Sequence, residues 1–544
     1  MDNTEIIRRF ERVKATRTTV QTDWDVIEKF VAPYRGRMFK DSTSEHAVEW
    51  RQRDLYDSTA VNSAQSLAAS LHGSLTSPAT RWFSLGFRDE QLQDDVEAKE
   101  WLEDCADQVY YALQDSTFNL EANELYLDLV TFGTGAILCE PKEAKLGEFT
   151  GVNFTAVPLK EVFFEPSERG VYSFYREMKW QPSKIIDKFG EDGCPKSVRE
   201  CMERGDQDLM TIVFCIYPRQ RYKNADVSKA LSPSRRPYAY KYILKETCEL
   251  VGKEGGYYEM PAFIPRWRKT SESQWGHSPA NIALGDILTA NQIVEMQLKA
   301  AEKLIDPPQK VQERALLGDL DLKARGLTVM RDINQIAPLL TGSEPHIGDN
   351  RLEDLRMAIR QYFFVDELEL KQSPAMTATE VSVRYELMQR LLGPTLGRLQ
   401  ADFLDPCVER VFNVLYRGGR IPEPPESVKE SGSEVDVIYL GPLQRAQKTD
   451  AVAATERWLM LLGNMAEVMP DLLDVPDPDA VARESADALS VPASMQRTDD
   501  EVAAIRKQRQ EAMQAQQQAE TQKTQAEAMA AAGNAQQGGM DEQG

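Results

Sequence analysis

The sequence predicts an α+β protein, mainly helical, and three observations carry that prediction. Apolar residues recur at helical spacing over several long segments, notably 57–75, 275–308 and 349–364. Between about 134 and 260 the pattern changes to short β-branched and aromatic runs separated by turn residues. No stretch approaches the roughly 18 uncharged apolar residues of a membrane span, so no membrane partner is expected.

The elements follow in order. In DSTAVNSAQSLAASLHGSL (57–75), Ala60, Ala64, Leu67 and Leu71 share a face, and the TSPAT run (76–80) ends the helix. RWFSLGF (81–87) alternates and reads as a strand; helices are predicted at about 94–114 and 119–133, the second stopping at Gly133. Strands are predicted in GAILCEPK, VNFTAVPLKEVFFEP, SFYREMKW, MTIVFCIYPR, YAYKYILK and CELVGKEGGYYEMP, with a helical insert at 182–190. Ser278 and Pro279 form an N-cap and first-position pair for a helix to about 305, stopped by Pro307 and Pro308. Its stripe of Ile287, Val294, Leu298, Ala301 and Ile305 is close to a heptad, with Asn291 at one seam position. After a candidate strand at 326–330, a second helix at 349–364 puts Leu352, Leu355, Ile359 and Tyr362 on one face. The stretch 376–412 reads as one long helix interrupted by Pro394 and Pro406, each of which removes a backbone bond and crowds the preceding turn. A strand at 435–441 and further helix to about 495 follow; from about 497 the chain is Gln-, Ala- and Glu-rich, partly helical and then without a fold of its own.

Composition narrows the function. The 544 residues suffice for two to four domains, and 42% hydrophobic content is ordinary for a soluble protein. The charged N-terminus, MDNTEIIRRFERVKATR, is no secretory signal, so work in a cytoplasm is expected. A net charge of −22 argues against wrapping DNA on basic patches and is compatible with letting DNA slide past. The seven cysteines contain no C-x-x-C and read as free, mostly buried thiols. His46, His72, His277 and His346 are isolated, so no metal is expected. FGTGA (132–136) lacks the lysine of a phosphate loop, HGSL (72–75) lacks a nucleophile elbow, and neither a cofactor nor an enzyme activity is predicted.

One enzymatic outline stands as an alternative. Asp128 precedes an apolar strand and then Glu140 with Lys142, or Glu143 with Lys145. An acid followed by E-x-K is the bare pattern of a metal-dependent nuclease, in which carboxylates hold Mg²⁺ and lysine orients water. Pro141 inside it is awkward for a central strand. The two helices at about 278–305 and 349–364 are more informative, because they flank a module of about 40 residues and each has a narrow apolar stripe. They read either as an antiparallel pair in a monomer core or as a pair packed beside copies from neighbouring subunits.

Four stretches, in order and spread over most of the chain, then resemble one family. They are DSTAVNSAQSLAASLHGSLTSPATRWFSL (57–85), GHSPANIALGDILTANQIVE (276–295), MTATEVSVRYE (376–386) and IYLGPLQRAQ (438–447). Together they resemble the portal, or head-to-tail connector, proteins of short-tailed, T7-like bacteriophages. The resemblance implies a portal-type fold with wing, stem, clip and crown regions, assembled as a dodecameric homo-oligomeric ring at one capsid vertex of the virion, after assembly in the host cytoplasm. It implies double-stranded DNA passing through the channel in packaging and ejection, and terminase, major capsid protein, scaffolding protein and tail adaptor proteins as partners.

Carried onto this chain, the wing is 1–275, the first stem helix 276–305, the clip 306–346, the second stem helix 347–364 and the tunnel loop 365–377. A bent helix and strand at 378–441 return to the wing, the crown is 442–500 and a flexible tail is 501–544. Glu369, Lys371 and Gln372 become candidate channel residues, Lys371 foremost for a brief DNA contact. Arg314, Asp319, Asp321, Lys323 and Arg325 become candidate clip contacts for terminase or tail, by position alone. Pro394 is the expected kink and Pro406 a second bend or break. A non-portal head-tail adaptor is the other virion alternative.

Overall fold

The computed structural model describes residues 1–35, 54–78, 81–88, 92, 95–143, 149–167, 170–206, 208–220, 231–270, 273–305, 307, 309–311, 336–338, 348–368, 392–431, 435–439, 442–466, 476–488 and 502–514. It is an α+β chain in two compact units. The first comprises residues 1–84, 105–422 and 437–446; the second comprises 85–104, 423–436 and 447–544.

The first unit opens with α1 (Asn3–Thr16) and α2 (Thr18–Phe30), followed by α3 (Thr59–Leu75). The Asp2 carboxylate caps α1, accepting from the Asn3 amide at 2.8 Å. Ile6, Phe10 and Val13 recur every three or four residues and form the buried stripe of α1. Next come β1 (Phe83–Phe87) and α4 (Val96–Gln114), whose residues are divided along the chain between the units. Then α5 (Phe118–Phe132) ends where predicted, because Gly133 takes φ +77° in the left-handed region.

The predicted strand region is present. It contains β2 (Ile137–Glu143), β3 (Phe149–Ala156), β4 (Val162–Ser167) and β5 (Gly170–Trp180). After α6 (Pro182–Phe189) and α7 (Lys196–Glu203) come β6 (Met210–Pro218), β7 (Tyr238–Leu244), β8 (Leu250–Tyr257) and β9 (Ala262–Phe263). Strands β4-β5-β6-β7-β8 form an antiparallel meander. One of its faces, with Phe163, Tyr175, Val213, Tyr217 and Ile243, is sealed by the stripe of α1. Phe10 meets Phe163 edge-on at 5.2 Å. The smaller sheet is ordered β3-β2-β9. Pro141 sits in its middle strand without conflict, because β9 pairs only with Ile137 and Leu138 and leaves the Pro141 end of β2 unpaired on that side.

Beyond the sheets lie α8 (Pro279–Ile305), the antiparallel pair β10 (Gln309–Val311) and β11 (Ile336–Pro338), α9 (Asp349–Tyr362) and α10 (Val365–Leu368). The strand predicted at 326–330 falls outside the described residues. A helical run over 392–417, α11, contains a π turn at Gln400–Leu404.

The second unit contains α12 (Glu426–Ser431), and β12 (Val435–Tyr439) and α13 (Pro442–Ala466) each have residues in both units. Two more helices, α14 (Pro478–Ala488) and α15 (502–514), belong to the second unit. Within it Phe87 stacks on Trp101 at 6.4 Å, and Arg506 of α15 grips the Asp479 carboxylate of α14 at 2.5 and 2.6 Å. Among the described residues no helix is long and apolar enough to cross a membrane.

Candidate functional site

The paired helices α8 and α9 pack along each other, and their connections to the rest of the first unit define the site. The foot of α8 is built by the chain just before it. Ser278 caps the helix as predicted, accepting from the Asn281 amide at 3.1 Å while Asn281 Oδ1 accepts from the Ser278 amide at 3.0 Å. The Ser278 hydroxyl also lies 2.7 Å from the Thr131 carbonyl, tying the cap to the end of α5.

There the backbones of Gly133 and Gly276 meet. A Cβ on Gly133 would stand 2.6 Å from the Gly276 carbonyl oxygen, so neither position has room for a side chain. Trp275 fills the space beside this crossing, edge-on to Trp24 and to Phe164 at 5.1 Å each, and Trp24 Nε1 donates to the Phe132 carbonyl at 3.1 Å. The first half of α8 uses small or medium residues on its buried side: Ala280, Ala283, Ile287 and Ala290.

Asn291 is not the interhelical seam residue that the heptad suggests. Its Oδ1 accepts from the amides of Tyr56 and Asp57 at 2.7 and 3.2 Å, and its Nδ2 donates to the Asp54 carbonyl at 3.1 Å. Asp57 in turn accepts from the Thr59 amide at 2.9 Å and from Arg356 Nε of α9 at 2.9 Å. Burial pushes the Asp57 carboxyl up, but the bonds from Thr59 and Arg356 outweigh it and hold the group below the usual carboxylate range. This clasp joins α3, α8 and α9. Gln297 then reaches Asp349 at 2.8 Å, so the start of α9 lies beside the second half of α8. Sequence reasoning missed the clasp, since Asp57, Asn291 and Arg356, 234 and 65 residues apart in turn, carry no local pattern.

The bent-helix prolines have a definite local setting. Pro394 is exposed and third in the described part of α11. Pro406 follows the π turn, in which the Asp405 amide donates to the Gln400 carbonyl five residues back. A proline cannot donate to the carbonyl four residues earlier and its ring collides with it. A turn one residue wider removes that conflict. Glu369, Lys371, Gln372, Arg314, Asp319, Asp321, Lys323 and Arg325 all lie outside the described residues.

Two carboxylates of the nuclease outline, Asp128 and Glu140, are engaged in contacts within the chain. Arg35 binds both Asp128 oxygens, Nε at 2.8 Å and Nη2 at 2.9 Å; burial pushes that carboxyl up and the guanidinium opposes it. Glu140 accepts from the Tyr257 hydroxyl at 2.5 Å, and Lys142 is exposed. Of the second pair, Glu143 ends β2 and Lys145 lies outside the described residues. Among the described residues no three His, Cys, Asp or Glu side chains converge as a metal site. The cysteines are free thiols as expected, and burial drives Cys139 up to about 11 and Cys215 up to about 12.

The comparisons agree with the sequence resemblance. The profile of the family described as "Bacteriophage head to tail connecting protein" matches residues 3–496. The chain is 28% identical over 532 residues to the "Probable portal protein" of Bordetella phage BPP-1, covering 94% of this chain and 92% of that one. It is 24% identical over 493 residues to the "Portal protein" of Salmonella phage epsilon15, covering 87% and 85%. With the match running through both sheets, the paired helices and α13, the chain belongs to the family of bacteriophage head-to-tail connecting proteins.

Proposed function

We propose that the chain is the subunit of a portal: a closed ring at one vertex of the phage capsid, through which the genome is packaged and later ejected. The observation that carries the ring is the second half of α8, where Met296, Leu298, Leu304 and Ile305 are 58, 54, 55 and 84% exposed. Met357 of α9 is exposed as well. Leu298 and Ile305, seven residues apart, share one face of the helix and Met296 lies on the opposite one; large apolar side chains exposed on a long helix mark association surfaces rather than a monomer's solvent face. Identical chains in head-to-tail contacts close into a ring when the rotation permits. In this reading α8 and α9 are the stem, the segment 306–346 with β10 and β11 the clip, 365–377 the tunnel loop, and 442–500 the crown. Residues 1–275 with 378–441 form the wing, and 501–544 the tail.

The net charge of −22 per chain suits a channel, since phosphate binding by lysine and arginine is what makes DNA stick. Lys371, beside Glu369 and Gln372, is the proposed transient DNA contact. The five charged positions from Arg314 to Arg325 are proposed to meet terminase first and tail adaptors afterwards, while the wing meets major capsid and scaffolding proteins. The working location is the virion, with assembly in the host cytoplasm.

Electron microscopy of the purified protein tests the reading. Uniform rings, dodecameric on the family pattern and with a hole of duplex width, are expected. Monomers that cleave DNA with Mg²⁺ would overturn it in favour of the nuclease, and rings that neither nucleate capsids nor recruit terminase would make the chain an adaptor. Lys371→Ala should assemble normally yet package or retain DNA poorly; normal packaging and retention would remove Lys371 from the account.

A further inference from the structure

Two lysines of α6 stand over the same aromatic side chain. Lys184 Nζ lies 4.8 Å and Lys188 Nζ 4.9 Å from the ring centroid of Trp180, the last residue of β5. Lys188 is also 4.8 Å from the Tyr242 ring and 5.6 Å from the Phe189 ring, and it donates to the Tyr242 hydroxyl at 3.3 Å. Both lysines are exposed, and among the described residues neither closes on a carboxylate. Lys14 and Lys245 show the ordinary alternative, since both reach Glu177, at 2.6 and 3.1 Å.

The setting of Lys188 disfavours its charged form. Rings flank the tip of the side chain and take water from it on those sides. Burial lowers the Lys188 pKa below the ordinary lysine value; Glu140 opposes this, and Arg176 and Lys184 add to it. Glu140 is itself held by the Tyr257 hydroxyl. The ring faces attract the ammonium in return, but all three centroids lie in the outer part of the roughly 6 Å reach of that attraction. An amine partly desolvated beside other cations is the recipe for a nucleophilic lysine.

We propose that Lys188 is a covalent modification site for acyl phosphates, with Lys184 holding the phosphate while Lys188 receives the acyl group. The neutral Lys188 amine attacks the acyl carbon and the carbon–nitrogen bond forms. The bond from that carbon to the phosphate oxygen breaks, its electron pair leaves on phosphate, and the amine proton passes to the same phosphate. The products are an amide on Lys188 and hydrogen phosphate. On a chain of net charge −22 an anionic donor needs a local cation, and the exposed Lys184 ammonium, one helical turn before Lys188, supplies it. The site stands whether or not the chain forms a ring.

Acetyl phosphate on the full purified chain, with mass-spectrometric peptide mapping, tests it. Lys188 is expected to be acetylated at least about threefold faster than Lys184. Lys184→Gln should slow acetylation of Lys188 by acetyl phosphate at least about twofold more than acylation by a neutral N-hydroxysuccinimide ester, because only the first reagent carries a phosphate for Lys184 to hold. Labelling of Lys188 no faster than that of Lys184, including none at either, overturns the proposal. Equal slowing with both reagents overturns the role of Lys184. Unselective labelling would leave the portal reading standing, and absence of rings would leave Lys188 as the modification site.

Discussion

The two halves of α8 share one helical period and opposite surroundings. From Pro279 to Asn291 the inward side is closed by tryptophans, a glycine crossing and a clasp of side chain to backbone bonds. From Met296 to Ile305 the apolar residues face water. The first half is a joint finished within one chain, and the second is the face that, on the portal reading, a neighbouring subunit would cover. An apolar stripe records that something will cover a helix and is silent about whose residues do so.

That contrast can be broken from its strongest point downward. Gly276→Ala would drive a Cβ into the Gly133 backbone, where no flexible side chain can yield. It should cost more than about 3 kcal/mol, read as a large drop in thermal unfolding temperature; a near-neutral result would mean the crossing is looser than described. Trp275→Ala empties the space between Trp24 and Phe164. A loss of about 3–5 kcal/mol is expected by denaturant titration.

The clasp gives a smaller, pH-dependent effect. Asn291→Ala strands the Tyr56 and Asp57 amides at about 1–3 kcal/mol. Because the Asp57 carboxyl is depressed, its stabilisation is present above its ordinary pKa of about 4 and is lost as pH falls through the lower folded value. Asp57→Asn should therefore lose stability at neutral pH and flatten the acid limb of the stability curve; an acid limb unchanged from the parent would show that other carboxylates set it. Smallest of all for the fold, Leu298→Ser and Ile305→Ser should shift unfolding by no more than about 0.5 kcal/mol. The same changes should deplete rings in mass photometry. Intact rings would move the interface off this face.

The sequence made much of this legible where the signal is local. The Gly133 stop, the Ser278 cap and the strand runs between 134 and 260 each rest on a few adjacent residues, and each is where it was expected. Pro141 misled because a strand's neighbours cannot be read from its own residues: β9 pairs with only two positions of β2. Asn291 misled for the same reason, as its partners lie at 54–57, far away in the chain. The π turn was legible only as a conflict. Two prolines in a long apolar period signalled that the helix must deviate, and not that Pro406 would be met by one extra residue in the turn.

The placement of α1 has a consequence for how each copy is made. Its stripe of Ile6, Phe10 and Val13 is synthesised well before the strands that cover it, with Ile243 of β7 following Val13 by 230 residues. At about 5–20 residues per second, that interval is roughly 10–50 s. Through it the nascent chain carries an amphipathic helix with nothing to sit on. The helix must therefore wait for strands made much later in the chain, and that interval is a stage open to mispairing between chains.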